Sequence, residues 1–550
     1  MKLSQLFKTI DKKEWQFVIL IIVVIIVITT LPYIYGRLKT PSDKIYTGIH
    51  FLIPSDYPVY YSYIQQASSG NVLFSDLFSA ETKDYNILNT IWLLPGQITR
   101  LFDLSPALSF QISRILLIPI LILVSYLLIS YFFTTKGLRK LSLIIFIFAS
   151  GWGFYYLLFN YQLLADLIIE NNYIWPLDFW IIEANTFLTL YYSPHFIASL
   201  ALLLFSLLLI FLALVNNKII YALGSGIVAL ILFSFHPFHF ITIYFLPLLY
   251  LVIWSIINRQ IARRKFFLYS ILVLVSLPVI IYYYWLVQTD FSTQIKFLQN
   301  YCPTPSLCLV FLGFGAMIIF SVIAVIKLLV KKEKISNKEL IIITWFIGQF
   351  ILVYLPFSFQ RRLTEGIALP LALLTSLLLY SWYQKVKSKR PRSLLVNSAV
   401  LFFLFLLVFM TTIISQISID LFLYSKGEQP SYIRIEEFQA LNWLKENIKL
   451  NEVILAHRDN GNIIPAFSGQ RVYLGHEVET IYVKEKKEEV KWFFKENRSL
   501  QTETTFLKKR NINYIYYSQE EKSLGQYNPE SKPYLEVVFG NDQVIIYQVL

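Results

Sequence analysis

The sequence predicts a polytopic α-helical membrane protein with a small α/β domain at its C-terminal end. Hydrophobic residues make up 56% of the 550 residues and charged residues only 15%, whereas soluble domains carry about 25% charged residues. The uncharged residues are gathered in long runs, and the composition becomes mixed only from about residue 427. Lipid is therefore the expected solvent for most of the chain.

Eleven apolar runs approach the length of about 20 residues that a helix needs to cross a bilayer. The predicted spans are Gln16–Ile34, Ile115–Phe133, Leu141–Phe159, Phe196–Val215, Ile219–Phe235, Phe240–Ile257, Phe267–Val287, Leu307–Ile326, Leu340–Phe357, Ile367–Tyr383 and Leu394–Ile417. The two runs on either side of His236 are also compatible with one long broken element. We therefore expect about eleven transmembrane helices.

The basic residues predict the orientation of these spans. Clusters of Lys and Arg precede the first span and follow the second, fourth, sixth, eighth and tenth. All of them fall on one face, which the positive-inside rule makes cytoplasmic. This pattern explains the net charge of +13 without a nucleic-acid partner. It places the N-terminus in the cytoplasm, and it places the long loop 35–114 and the C-terminal segment on the extracytoplasmic face.

Residues 427–550 are predicted to form the extracytoplasmic α/β domain, and residues 1–426 the membrane domain. The predicted helices are Ile435–Asn447 and Lys484–Lys495, and the predicted strands are Glu452–Ala456, Ile512–Tyr517, Tyr534–Phe539 and Val544–Val549. The segment contains no Gly-rich phosphate loop and no nucleophile elbow. Its polar stretch Gly475–Thr480 has the composition of a substrate contact, but we favour a surface loop between a strand and a helix.

The first candidate for chemistry is Asp56, near the start of the first long loop. A carboxylate close to the membrane surface is suited to act as a general base on an acceptor hydroxyl, or as a metal ligand. The alternative is a structural aspartate that caps a helix over Tyr57–Ser68, with Pro58 in its first turn.

A second group consists of Asp178, Glu183 and His195. The loop between residues 160 and 195 contains no Lys or Arg, so its acids need a cation, a proton or a sugar hydroxyl as partner. Simple solvation of both carboxylates is the alternative. His195 opens a predicted span directly after Pro194, where its ring is able to face the loop.

A third candidate pair is His236 and His239. Two histidines three positions apart lie on one helical face, and ionisable groups beside a hydrophobic stretch are often functional. Hydrogen bonding to a sugar or phosphate is the preferred role, and two interfacial histidines at the Pro237 break are the alternative. Zinc would need a third ligand that the sequence does not reveal. The cofactor therefore stays open, with a divalent cation as one candidate.

The fourth candidate is the pair Arg361 and Arg362, which breaks the charge pattern because it lies on the extracytoplasmic face. Paired guanidinium groups at a membrane surface suit a phosphate or diphosphate. The alternatives are anchoring to lipid headgroups, or salt bridges to Asp178, Glu183 or Glu365.

Two further features leave their roles open. Arg114 begins the second span, and we expect it to extend toward the interface rather than bind a lipid phosphate. Cys302 and Cys308 flank a Pro-containing stretch. They fit either a disulfide in an oxidising compartment or two unpaired thiols.

Several of these motifs resemble those of the GT-C superfamily of integral-membrane glycosyltransferases. The matching segments are a first loop that opens with Asp56, the stretches Asn89–Gly96 and Leu104–Ala107, Ser193–His195, Phe235–Phe238, and Arg361–Gly366. The resemblance implies a polyprenyl-phosphate or polyprenyl-diphosphate sugar as donor. It also implies that Asp56 deprotonates the acceptor, while Arg361 and Arg362 stabilise charge on the departing phosphate. The Trp-Trp-Asp type motif of oligosaccharyltransferases is missing, which argues against protein N-glycosylation.

The function predicted from the sequence is therefore transfer of a sugar to an acceptor on the extracytoplasmic face, the acceptor being a glycan, a lipid or a protein. A transporter or flippase of lipid-linked glycans is one alternative. The spans are almost free of ionisable residues and show no internal repeat, which argues against transport. A non-catalytic envelope scaffold is the other alternative.

Overall fold

The structure is a computed structural model, and it describes residues 2–81, 86–159, 175–331, 333–389, 409–449 and 451–550. The chain forms two compact units, which we call the helical unit and the α/β unit. The helical unit contains Met1–Pro32, Arg114–Tyr283 and Tyr301–Asp420. The α/β unit contains Tyr33–Ser113, Tyr284–Asn300 and Leu421–Leu550.

Long apolar helices dominate the helical unit. The helices that begin or end in it are Leu3–Lys8, Lys12–Leu38, Pro106–Phe132, Lys136–Phe148, Gly153–Phe159, Leu177–Trp180, Thr186–Tyr192, Pro194–Asn216, Ile219–Phe233, His239–Asn258, Arg263–Thr289, Leu307–Phe314, Ala316–Val330, Asn337–Leu352, Ala368–Lys389 and Thr411–Lys426. Short 3₁₀ helices cover Ile182–Ala184 and Gln360–Thr364.

Among the described residues, seven helices are long and apolar enough to cross a membrane. Leu307–Phe314 and Ala316–Val330 would add an eighth span if they act together, although they meet at a bend of 90°. Gly315 makes this bend with a φ of 50°, a conformation that side chains disfavour. A polytopic helical membrane protein is therefore confirmed. The count of eleven stays a prediction, because most of the eleventh run, Leu394–Ile417, lies outside the described residues.

A mixed sheet of five strands forms the centre of the α/β unit. The strands follow the order Arg471–Val472, Val453–Leu455, Ile512–Tyr517, Ile545–Val549 and Leu535–Gly540. The first three are parallel, and the last two add antiparallel pairs. Apolar side chains pack against both faces of the sheet, and its central strands are therefore buried.

The rest of the α/β unit consists of helices and short strands, and several of them come from the first long loop. The remaining elements of the α/β unit are the helices Asp56–Ser68, Leu93–Phe102, Phe291–Gln299, Ile435–Asn447, Arg458–Phe467, Val483–Lys495, Leu500–Lys509 and Gln519–Ser523, the short strands Lys44–Tyr46, Leu73–Phe74, Ile87–Leu88 and Tyr432–Arg434, and the 3₁₀ helices Thr90–Trp92 and Pro529–Ser531. Lys44–Tyr46 pairs antiparallel with Tyr432–Arg434. Residues 427–550 thus share their unit with residues 33–113, and the domain boundary at 427 stays a prediction.

Candidate functional site

Asp56 lies at the start of a helix that packs within the α/β unit. The helix Asp56–Ser68 has Ser55 at its N-cap position, so Asp56 is in the first turn and is not the cap. The Asn462 side chain donates a hydrogen bond to the Ser55 carbonyl oxygen at 3.2 Å and fixes this end of the helix. The positive end of the helix dipole favours a carboxylate here. The Asp56 side chain is 39% exposed, so it remains accessible to a reactant.

His476 is the principal partner of Asp56. Its Nε2 atom lies 3.0 Å from Asp56 Oδ1. The backbone N–H groups of Val478 and Glu479 both donate to its Nδ1 atom at 3.2 Å. Because Nδ1 accepts two hydrogen bonds, the proton of the neutral ring is on Nε2, which therefore donates to the Asp56 carboxylate.

The electrostatic surroundings of His476 act in opposite directions. Burial lowers its pKa, but the hydrogen bond and negative charge of Asp56 outweigh this effect, so the net pKa lies above its ordinary value. A second proton on the ring would displace the two backbone donors at Nδ1. The interpretation of Gly475–Thr480 as a surface loop missed this residue, because no local pattern links His476 to a partner 420 positions away.

A partly buried ion cluster supports the segment that carries His476. Lys296 Nζ lies 2.5 Å from Asp76 Oδ2 and 3.1 Å from Glu479 Oε2. Burial raises the pKa of Asp76. Burial also acts to raise the pKa of Glu479, but the charge of Lys296 outweighs it and the net pKa is lowered. The cluster holds Glu479, and with it the backbone N–H that contacts His476. No local sequence pattern indicates this cluster, because its members come from three distant segments.

In the helical unit, the side chains of His236 and His239 lie close to the Glu365 carboxylate. His239 Nε2 lies 2.8 Å from Glu365 Oε2, and His236 Nδ1 lies 3.7 Å from the same oxygen. Ser199 Oγ contacts His236 Nδ1 at 2.9 Å. All three titratable side chains are buried. Imidazole nitrogens and a carboxylate oxygen are the ligand types that zinc and related cations prefer, so these residues are able to hold a metal ion.

The two predicted phosphate ligands lie in the 3₁₀ helix Gln360–Thr364. The Arg361 guanidinium stacks over the Trp180 ring, 4.9 Å from its centroid. No carboxylate of the described residues forms an ion pair with Arg361. Arg362 Nη1 lies 3.7 Å from Glu183 Oε1, so the salt-bridge alternative applies to Arg362. Its guanidinium also lies 5.0 Å from the Phe238 ring centroid.

Asp178 and His195 make contacts inside the helical unit. Thr412 Oγ1 donates to Asp178 Oδ2 at 2.8 Å, and the Gly153 N–H donates to the same atom at 3.3 Å. Burial raises the pKa of Asp178 to about 7. His195 is buried with its Nδ1 atom 2.6 Å from Ser193 Oγ. The predicted substrate contacts of Asp178, Glu183 and His195 stay predictions.

Arg114 does not extend toward the interface as expected. Its side chain is fully buried and donates to Thr29 Oγ1, to Thr30 Oγ1 and to the Leu190 carbonyl oxygen. These acceptors satisfy the guanidinium inside the helical unit, so it needs no contact with water or headgroups. Cys302 is buried and Cys308 is exposed, and the two do not form a disulfide.

Comparison with known proteins finds no matching family model and no matching curated protein. Solved structures do match. The oligosaccharyltransferase of Archaeoglobus fulgidus tethered with an acceptor peptide superposes with a TM-score of 0.56 at 14% identity, covering 92% of this chain and 69% of that chain. The same archaeal enzyme, AglB, in complex with an inhibitory peptide and a dolichol-phosphate gives a TM-score of 0.55 at 13% identity, covering 92% and 70%.

A bacterial structure matches over nearly its whole length. ArnT from Cupriavidus metallidurans bound to undecaprenyl phosphate gives a TM-score of 0.52 at 11% identity, covering 98% of each chain. Identities this low establish the fold and not the activity. This chain shares the fold of these two solved proteins, both of which are GT-C glycosyltransferases, as the resemblance drawn from its sequence motifs led us to expect.

Proposed function

We propose that this chain is an integral-membrane glycosyltransferase that uses a polyprenyl-phosphate or polyprenyl-diphosphate sugar as donor and an acceptor on the extracytoplasmic face. The observation that carries the proposal is the accessible Asp56 carboxylate, held by His476 in a chain with a GT-C fold. Similar structures bind undecaprenyl phosphate and dolichol-phosphate, which supports a lipid-linked donor. The proposal includes eleven spans, a cytoplasmic N-terminus and an extracytoplasmic C-terminal domain.

In this proposal Asp56 is the general base. Its carboxylate takes the proton of an acceptor hydroxyl as the acceptor oxygen forms a bond to the anomeric carbon. The bond from that carbon to the phosphate oxygen breaks, and its electron pair leaves with the lipid phosphate. His476 is a positioning residue. Its N–H holds Oδ1 and so restricts rotation of the carboxylate, because the ring itself is fixed by two backbone donors.

Arg361 and Arg362 are the proposed ligands of the donor phosphate. Stacking on Trp180 orients the Arg361 guanidinium while leaving its charge without a carboxylate partner among the described residues. Arg362 is already paired with Glu183, so Arg361 is the stronger candidate. A guanidinium stabilises the negative charge that grows on the departing phosphate.

A transfer assay tests the proposal. The purified protein in nanodiscs would receive a panel of radiolabelled polyprenyl-phosphate and polyprenyl-diphosphate sugars, beside Asp56→Asn and Arg361→Ala variants. The matched controls are Asp542→Asn and Arg263→Ala, which change exposed residues of the same types. Transfer or donor hydrolysis by the wild type and both controls, with loss in both variants, is the expected result. Turnover that survives Asp56→Asn would remove the assigned base, and donor binding without turnover by the wild type would favour transport or scaffolding.

A further inference from the structure

We propose that His236, His239 and Glu365 form a zinc-binding site in the helical unit. The sequence showed two histidines without a third ligand. The third ligand comes from a distant segment. Glu365 lies 126 positions after His239 in the sequence and contacts it in the folded chain. The inference concerns the metal content of the protein and does not depend on the proposed transfer reaction.

The three side chains already have nearly the spacing that zinc requires. One potential ligand atom from each residue lies within 4.8 Å of the other two. Bonds of about 2.0 Å in a tetrahedral zinc site separate neighbouring ligand atoms by roughly 3.3 Å. The observed separations from Glu365 Oε2 are 2.8 Å to His239 Nε2 and 3.7 Å to His236 Nδ1. Each of these two separations is within about 0.5 Å of the tetrahedral value.

The polar atoms of this cluster also lack partners that a cation would supply. Glu365 is fully buried, and its Oε1 atom has no hydrogen-bond partner among the described residues. A buried carboxylate with an unsatisfied oxygen is unfavourable. A zinc ion bound through Oε2 would neutralise the buried charge, and a water on the open position of that ion would be able to donate a hydrogen bond to Oε1.

The residues around the ligands hold them in place. Gln349 Nε2 donates to the carbonyl oxygens of Leu363 and Glu365 at 3.0 and 2.6 Å. The Trp345 indole N–H in turn donates to Gln349 Oε1 at 2.7 Å. Such supporting contacts orient the ligands of metal sites and are part of their affinity. Three protein ligands leave a fourth position for water, as in open zinc sites.

The site would connect two structural elements of the helical unit. His236 and His239 lie at the turn that begins the helix His239–Asn258, and Glu365 directly follows the 3₁₀ helix Gln360–Thr364 that carries Arg361 and Arg362. A shared ion joins this turn to the segment with the two arginines. Zinc removal is therefore expected to lower the thermal stability of the helical unit.

Metal analysis of the full-length protein tests the site. The protein would be purified in detergent through a tag without histidines, stripped with a chelator, reloaded with zinc chloride and desalted. Mass spectrometry of the metal content is expected to find about one zinc per chain. His239→Ala and Glu365→Gln are expected to lose this zinc, whereas His457→Ala, a control histidine in the α/β unit, is expected to keep it. Equal zinc in all four proteins, or none in the reloaded wild type, would overturn the proposal.

A second measurement covers variants that fail to fold. X-ray absorption at the zinc edge of the reloaded wild type is expected to show only nitrogen and oxygen ligands, with the scattering pattern of imidazole. A shell that contains sulfur, or one without imidazole, would place the metal elsewhere and contradict the assignment.

Discussion

His476 donates a hydrogen bond from Nε2 to Asp56 Oδ1 over 3.0 Å, and so joins two residues of the α/β unit that are 420 positions apart. The direction of this bond is fixed, because two backbone N–H groups occupy the opposite ring nitrogen. The candidate base Asp56 is thus held by a residue outside its own loop. Variants of His476 therefore test the positioning of Asp56 separately from the binding of substrate.

Replacing His476 with Ala should lower kcat by about 10- to 100-fold, which corresponds to a charge-assisted hydrogen bond of roughly 1.5–3 kcal/mol. KM for the lipid-linked donor should stay unchanged, because His476 acts through Asp56. His476→Gln retains an N–H donor and should recover part of the loss. Steady-state kinetics of the three proteins checks this, with His457→Ala as the control. A change confined to KM, or equal loss in the Ala and Gln variants, would contradict the positioning role.

Lys296→Met should destabilise the α/β unit by about 3–5 kcal/mol, because it leaves the buried Asp76 and the partly exposed Glu479 carboxylates without their cation. The triple variant with Asp76→Asn and Glu479→Gln should be more stable than the single variant, since it removes the unpaired charges. Thermal or denaturant unfolding measures both. A triple variant less stable than Lys296→Met alone would show that the lysine acts by packing and not by charge.

Arg361 and Arg362 should respond differently to truncation. Arg362→Ala leaves the buried Glu183 carboxylate without its ion pair and should lower the melting temperature, and an added Glu183→Gln should restore part of it. Among the described residues the Arg361 side chain has the stack on Trp180 and no ion pair, so Arg361→Ala should weaken donor binding with little change in stability. Melting curves and donor-binding isotherms of the same samples distinguish the two. Equal loss of stability in both variants would contradict the different roles assigned to Arg361 and Arg362.

Asp178 should make stability depend on pH. Its pKa is raised by burial from 3.8 to about 7, so the folded chain binds more protons than the unfolded chain between these values, and stability falls as pH rises through that window. The difference is on the order of a few kcal/mol. Asp178→Asn should remove this loss while keeping an oxygen acceptor for Thr412. Melting temperatures at pH 5 and pH 8 check this against Asp542→Asn, and an unchanged slope in Asp178→Asn would assign the pH dependence to another group.

The elements that were predictable from sequence are those specified by local pattern. The apolar run Gln16–Ile34 lies inside the observed helix Lys12–Leu38, and Ile435–Asn447 and Ile512–Tyr517 have their predicted bounds. The strand Arg471–Val472 was not predicted, because two residues are too few to show alternation. The helix Arg458–Phe467 was also not predicted, because Gly461 and Pro465 weaken its helical signal.

By itself the sequence determined that this is a membrane protein with many apolar helices, and it identified Asp56, His236, His239, Arg361 and Arg362 as candidates for chemistry. Hydrophobic length and residue type are local properties, and the solvent of each segment follows directly from them. Only the tertiary structure decided the partners: His476 for Asp56, Glu365 for the two histidines, and Glu183 for Arg362. Such pairs form because folding brings distant segments into contact. A short-range sequence pattern does not specify which distant residue will be the partner of a given polar side chain.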